Sequence, residues 1–434
     1  MKNRSHIIQG LALAAALNLQ LSTALAQGTT STFSDANWVG MGSGVDAYVF
    51  ALAVSGNTLY AGGYFGTAGG VPANGMARWD GSGWSALGSG PPVGVSALAV
   101  SGSTVYAGGV GGFGTNVAQW DGTGWSVLGW GMGGAVMALA VSGNTLYAGG
   151  GFMTADGAWT NSVYQWDGTN WSSVGSGIND TVKALAVLGT NLYAGGYFTT
   201  AGGVPVNYVA RWDGTSWSPL GSGMNGYVRA LAVLGTNLYA GGLFTMAGAV
   251  SATNVARWDG TSWSALGPGV AAGSLFPDVP VYALAASGTH LYVGGDFTEA
   301  GGVAATNIAQ WDGTNWSALG SGMDTMVYAL AASSNALYAG GQFELAGGQA
   351  RSNIAEALLA WPDFQGGPVL NADGSVTLHA ATLTQSTNRL YAATNLTPSV
   401  VWQPVWTNVS GGLWQFTDTN TAGFQSKFYR LSTP

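Results

Sequence analysis

The chain has 434 residues, a formal net charge of −8, 72 glycines, 19 tryptophans and no cysteine. Charged residues make up only 7% of it, against about 25% in ordinary soluble proteins. The acidic balance argues against nucleic acid and anionic membrane surfaces as partners, and the missing cysteine excludes a disulfide scaffold or a Cys-anchored lipoprotein, so packing must hold the fold.

In chain order, residues 1–26 read as a secretory signal. Lys2 and Arg4 form a positive start, and the apolar stretch from Ile7 to Leu19 is too short and too interrupted to span a bilayer. Ala24-Leu25-Ala26 fits the small-x-small cleavage rule, which predicts a mature chain from Gln27 with net charge −10 once Lys2 and Arg4 are gone. No later segment is long and apolar enough for a transmembrane span, so the expected location is secreted or at the cell surface. Residues 27–32 are expected to be a linker.

Residues 33–360 are built from one repeating unit, seen most clearly at 182–223: VKALAVLGTNLYAGGYFTTAGGVPVNYVARWDGTSWSPLGSG. Four short β-type runs, here called a to d, alternate with Gly-containing breaks and predict a four-stranded antiparallel meander. A Gly- and aromatic-rich period in the forties is the pattern of a propeller blade, whose sheet must be covered by its neighbours. The Tyr of LYAGG recurs at Tyr60, Tyr106, Tyr147, Tyr193, Tyr239, Tyr292 and Tyr338, which counts seven b strands. WDG occurs only six times, whereas the strand-d Trp occurs seven times because Trp38 precedes the first strand a. The expected fold is therefore all-β: a seven-bladed β-propeller closed by an N-terminal strand, which leaves no open sheet edge. After it, residues 361–434 lose both motifs and predict about five alternating strands at 376–381, 389–393, 400–407, 413–417 and 427–431, a small β-sandwich module.

Length variation falls in two connections: between strands b and c of unit two, and in the d-to-a connection at 268–280 that opens unit six. In a propeller, d–a and b–c loops share one face, so that face is the expected binding side. The six WDG aspartates, Asp80, Asp121, Asp167, Asp213, Asp259 and Asp312, are read as turn residues rather than a ring of acids, and the repeated tryptophans as packing between blades. The mature chain keeps only His290 and His379, too few for a Ser-His-Asp triad or a His-rich zinc site. A two-carboxylate hydrolase would have to draw on Asp278, Asp296, Glu299, Asp324 and Glu344 of units six and seven; the alternative for these is a solvated acidic patch.

Inside the near-constant V-x-A-L-A of strand a, one position varies: Phe50, Ser96, Met137, Lys183, Arg229, Tyr282 and Tyr328. Strand a is expected to line the channel, which places these residues near its mouth, either as a ligand ring or as drift at an exposed site. The candidate binding residues are therefore Phe50, Lys183, Arg229, Tyr282, Tyr328, Asp296, Glu299 and Glu344.

The units LYAGGYFTTAGGVPVNYVARWDGTSWSPLGSG and LYVGGDFTEAGGVAATNIAQWDGTNWSALGSG resemble the kelch-like propellers of the fungal cortical polarity-marker family and their bacterial relatives. The resemblance covers about residues 33–360. It implies the propeller fold and a surface or interaction role, with no shared catalytic set. The C-terminal stretch beginning NRLYAATNL looks like a β module found at the ends of large exported bacterial proteins. The leading expectation is a non-enzymatic, monomeric binding propeller for an extracellular protein or glycan, with no cofactor and no metal. A polysaccharide hydrolase or lyase and a purely structural adhesion module are the alternatives.

Overall fold

The computed structural model describes residues 33–111, 116–129, 133–152, 162–272 and 281–359. It also describes the strands Ile7–Gly10, Asp363–Phe364, Val369–Leu370, Val376–Thr382, Asn388–Ala393, Gln403–Asn408, Gly412–Asp418 and Lys427–Ser432. Phe33–Ala357 forms one compact unit; Met1–Thr32 and Leu358–Pro434 fall together in a second.

The first unit is a seven-bladed β-propeller. Blade 4 shows the plan: Val182–Leu188 (a), Asn191–Gly196 (b), Val209–Trp212 (c) and Trp217–Pro219 (d) pair antiparallel in that order. The a–b turn has two residues, with Gly189 at a φ of +62° that a side chain would resist. In the c–d turn, Asp213 accepts hydrogen bonds from the backbone N–H groups of Thr215 and Ser216, both at 2.8 Å, while Gly214 takes a φ of +100°. All six WDG aspartates hold their turns in this way, and those bonds to the ionised carboxylate push Asp80 and Asp121 down to about 2.

Blade 7 is completed as the count of tryptophans predicts. Its strands Val327–Ala332, Ala336–Gly341 and Ile354–Leu358 are followed in the sheet by Trp38–Val39, with Trp38 opposite Ala357 and Val39 opposite Glu356. Each of the seven strand-d tryptophans donates its indole N–H to a backbone carbonyl at the end of strand d of the preceding blade: Trp217 to Val174, Trp263 to Leu220 and, across the closure, Trp38 to Leu319 at 3.0 Å and Trp84 to Met41 at 2.8 Å. Trp125, Trp171 and Trp316 do the same to Leu87, Leu128 and Leu266. The tryptophans thus both pack between blades and tie them together.

The core lies in the seams between blades. One seam joins Tyr193 and Val209 of blade 4 to Val228, Leu238 and Ala240 of blade 5; the closing seam joins Ala331, Tyr338 and Ile354 of blade 7 to Val49 and Leu59 of blade 1. The first Gly of each Gly-Gly pair makes these seams close. A Cβ on Gly195 or Gly340 would sit 2.5 Å from Val228 or Val49 of the next blade, so a side chain there would push the blades apart.

In the second unit, one sheet holds Asn388–Ala393, Gln403–Asn408 and Lys427–Ser432, and another holds Val376–Thr382 and Gly412–Asp418 with the two-residue strands Asp363–Phe364 and Val369–Leu370. All five predicted strands are present, and the two short ones are additional. Ile7–Gly10, inside the expected signal segment, pairs with Lys427–Arg430. Among the described residues no helix is long and apolar enough to cross a membrane.

A ring of bulge side chains at the channel mouth

Strand a of every blade packs against strand a of both neighbours, so these strands form the innermost round of the propeller. Each carries one β-bulge at the same place. In blade 4, Val182 pairs with Gly196 and Ala184 with Gly195, so Lys183 has no partner in the ladder. The skipped residues in the other blades are Phe50, Ser96, Met137, Arg229, Tyr282 and Tyr328. The variable position of the sequence is thus the bulge residue in all seven blades. A bulge residue is released from the ladder and from the alternation that commits its neighbours to the seams. The Gly-Gly pair opposite it admits the close backbone: a Cβ on Gly196 would lie 2.1 Å from the carbonyl oxygen of Thr181.

Contacts link six of these seven side chains. Phe50 packs on Tyr328, with ring centres 5.7 Å apart, and Tyr328 meets Tyr282 edge-on at 5.5 Å. The Arg229 guanidinium lies 5.3 Å from the Tyr282 ring and 5.6 Å from the Tyr197 ring. The Lys183 ammonium lies 5.1 Å from the centre of the same Tyr197 ring and 2.9 Å from Met137 Sδ. Ser96 of blade 2 is the one bulge residue outside this series. Tyr48 flanks Phe50 at 6.2 Å, and Tyr227 packs on Tyr197 at 4.6 Å. Tyr48, Phe50, Tyr64 and Tyr227 are among the largest exposed apolar side chains of the propeller, with Tyr64 79% exposed.

The electrostatics follow from this crowding. Burial pushes the Lys183 ammonium down to about 8, and Arg229 adds to the shift while Asp180 opposes it. Burial raises the Tyr328 hydroxyl, and Tyr282, Tyr48 and Asp296 raise it further. That hydroxyl donates to Gln342 Oε1 at 2.9 Å. Asp296 is 8% exposed, its carboxyl is raised by burial, and its Oδ2 has no hydrogen-bond partner. Arg229 Nε is likewise buried without a partner.

The remaining candidates are placed differently. Glu299 and Glu344 are exposed on the b–c hairpins Phe297–Ala300 with Val303–Ala304 and Leu345–Ala346 with Gln349–Ala350, Glu344 just before its first strand. No side-chain hydrogen bond or ring contact joins either to the bulge ring among the described residues. Asp324 is a loop clamp: its Oδ1 accepts from the N–H of Glu344 and of Leu345, both at 3.0 Å. Asp46, Asn179 and Asn225 hold the equivalent hairpins of blades 1, 4 and 5 in the same way. A carboxylate committed to two backbone amides is poorly suited to general acid or base work. Asp278 lies outside the described residues. So do most of the two connections with unusual lengths, at 112–115 and 273–280. Where the b–c connections are described from end to end, in blades 1, 4, 5, 6 and 7, they form the same small hairpin. Among the described residues no group of three His, Cys, Asp or Glu could hold a metal ion.

Tyr197, Tyr227 and Gln342 were not singled out from the sequence. For Tyr197 and Gln342 the signal was there: the residue after Gly-Gly runs Tyr64, Val110, Gly151, Tyr197, Leu243, Asp296 and Gln342, as variable as the bulge itself.

The fold and this mouth define the class, a seven-bladed β-propeller with a C-terminal all-β module. No protein-family profile matches the sequence, and no curated protein does. Among solved structures, the chain is similar to the computationally designed protein Ika8 at 20% identity and a TM-score of 0.45, over 74% of this chain and 99% of that one. It is similar to the WD40 β-propeller domain of Doa1 at 11% identity and a TM-score of 0.43, over 72% and 93%. A Pyrococcus horikoshii acylaminoacyl peptidase matches at 10% identity and a TM-score of 0.42; the match covers 77% of this chain and 57% of the peptidase. Similarity at this level carries no information about ligand or activity.

Proposed function

We propose that the protein is an exported, non-catalytic, monomeric propeller that recognises an extracellular glycan or protein through the channel mouth on the face of the d–a and b–c loops. The observation that carries this is the bulge ring. Six different residue types occupy one position that the scaffold leaves free, while V and A-L-A on either side are nearly invariant, and their side chains join into one partly exposed aromatic and cationic surface. Aromatic rings and arginine are the side chains that dominate recognition surfaces. The kinship with kelch-like propellers of the fungal polarity-marker type, and of residues 361–434 with terminal modules of exported bacterial proteins, belongs to the same proposal and rests on the repeat motifs. So does export, which rests on residues 1–26.

A glycan array and a pull-down from surface extracts, run with the mature chain and with Phe50→Ala/Tyr328→Ala, test the site. The double variant should lose the captured ligand with its melting curve kept. Capture that survives the double variant, and disappears instead when the b–c hairpins are replaced, contradicts it. N-terminal sequencing of the secreted product should read Gln27; a product that still carries Ile7–Gly10 contradicts the export reading.

A further inference from the structure

We infer that blades 4 and 5 form a carboxylate subsite within this mouth, suited to the sugar acid of an acidic polysaccharide; the inference rests on the mouth being the binding site. Lys183 and Arg229 occupy the bulges of neighbouring blades and share one π partner, the Tyr197 ring, at 5.1 and 5.6 Å. Only 11 of 434 residues are basic, so two held side by side in a partly buried mouth are conspicuous against an acidic chain. Like charges in such a setting disfavour each other and cost stability unless an anion joins them.

Among the described residues the nearby anion is Asp180, which attracts Lys183 without forming an ion pair with either cation. Neither cation is in an ion pair with any described residue. Arg229 Nε is buried with no hydrogen-bond partner, and its contacts are the two tyrosine rings. Lys183 donates only to the weak acceptor Met137 Sδ. The nearby carboxylate, Asp180, is engaged by the N–H of Thr181 at 2.5 Å. A guanidinium with open donors beside an ammonium matches the planar, two-oxygen geometry of a carboxylate.

The surroundings favour a sugar over a flexible acidic peptide. Tyr227 stands 4.6 Å from Tyr197 and 5.6 Å from Tyr208, and it is 43% exposed. A sugar acid brings its carboxylate on a rigid ring with an apolar C–H face that can lie on such tyrosines. A peptide must immobilise each acidic side chain and so pays more entropy per contact. The aromatic arc from Tyr282 through Tyr328 to Phe50 continues from Arg229 and can take further sugar units.

The test is the binding of a labelled short oligogalacturonate to the full chain, followed by fluorescence anisotropy. Its methyl ester, a neutral galactose oligomer, poly-aspartate and sodium sulfate serve as competitors. The oligogalacturonate should bind, and the methyl ester, with the carboxylates capped, should compete at least tenfold more weakly. Arg229→Gln and Lys183→Met should each weaken binding by about tenfold to a hundredfold, the range expected for one hydrogen bond to a charged group. Both variants should fold and melt no lower than the parent, since each relieves the repulsion between the two cations and Ser96 shows that a bulge accepts a small uncharged residue; the affinity of Arg229→Lys, which keeps charge but loses the fork, should fall between. Equal competition by the methyl ester or by poly-aspartate overturns the assignment, as does unchanged affinity in both variants or no binding of any acidic sugar. If a neutral oligomer binds instead and is lost in Phe50→Ala/Tyr328→Ala, only the charge inference falls. If binding survives every one of these variants, the mouth reading falls with it.

Discussion

The outer edge of the propeller and its inner mouth are made from the same repeat yet behave oppositely. At the outer edge, seven tryptophans make one hydrogen bond seven times, always to the blade before. Six aspartates close the same turn six times. At the mouth, seven bulges carry six different residue types. The difference teaches where a repeat scaffold can vary. At the edge, each tryptophan serves its own blade and its neighbour, so a change in one unit breaks a bond to another, while each aspartate is held by the turn it closes. The bulge residue is outside the ladder and outside the seam, so it can change alone.

The contrast can be broken most severely at the edge. Trp38→Ala removes a buried ring and the Leu319 bond that close the propeller; a cost of about 3–5 kcal/mol is expected for such a cavity, out of roughly 5–15 kcal/mol for a typical domain. Denaturant melts should show it, and removal of residues 27–44 should go further, to aggregation. Gly340→Val comes next. Its Cβ would meet Val49 of blade 1 at 2.5 Å, and overpacking of this kind costs about 1–3 kcal/mol. A melt identical to the parent in that variant would show that the seams are slack.

A smaller effect sharpens the picture at the closing seam. Blade 7 carries Glu356 where the other blades carry Arg78, Gln119, Gln165, Arg211, Arg257 and Gln310. Burial raises the Glu356 carboxyl, and Tyr338, also raised by its own burial, lies 3.4 Å from Oε1. A carboxyl raised in the folded state favours folding while protonated, and that contribution is lost as pH rises through the raised value. Glu356→Gln should therefore stabilise the protein at neutral pH, by about 1 kcal/mol, with the gain shrinking as pH is lowered into the ordinary carboxylate range. A gain that is constant with pH would mean that Glu356 is not the group responsible.

Much of this was legible in the sequence because the repeat does the same thing each time. The surplus Trp38 and the six WDG triplets were enough to place the closing strand, since a Trp without a blade of its own must finish another. The tryptophan packing and the Asp-Gly turns were legible for the same reason. The tryptophan-to-carbonyl bond was not, because a backbone acceptor leaves no trace in composition. At the mouth, the variable column at Phe50, Lys183, Arg229, Tyr282 and Tyr328 could be seen, but not that it is a bulge: a bulge is a relation between two strands, and only the Gly-Gly opposite hints at it. Asp324 read as a free acid and is a clamp, because Asn179 and Asn225 do the same work at its position, and a neutral residue that substitutes for an acid marks a hydrogen-bonding role.

The central claim is that stability and recognition are separated between edge and mouth. The direct test replaces all six non-serine bulge residues by serine, the residue blade 2 already carries at Ser96, and measures capture of the ligand by the folded variant. The account predicts a melting temperature close to the parent, as for substitutions away from the core, together with complete loss of capture. A variant that still captures the ligand, or one that no longer folds, would contradict it.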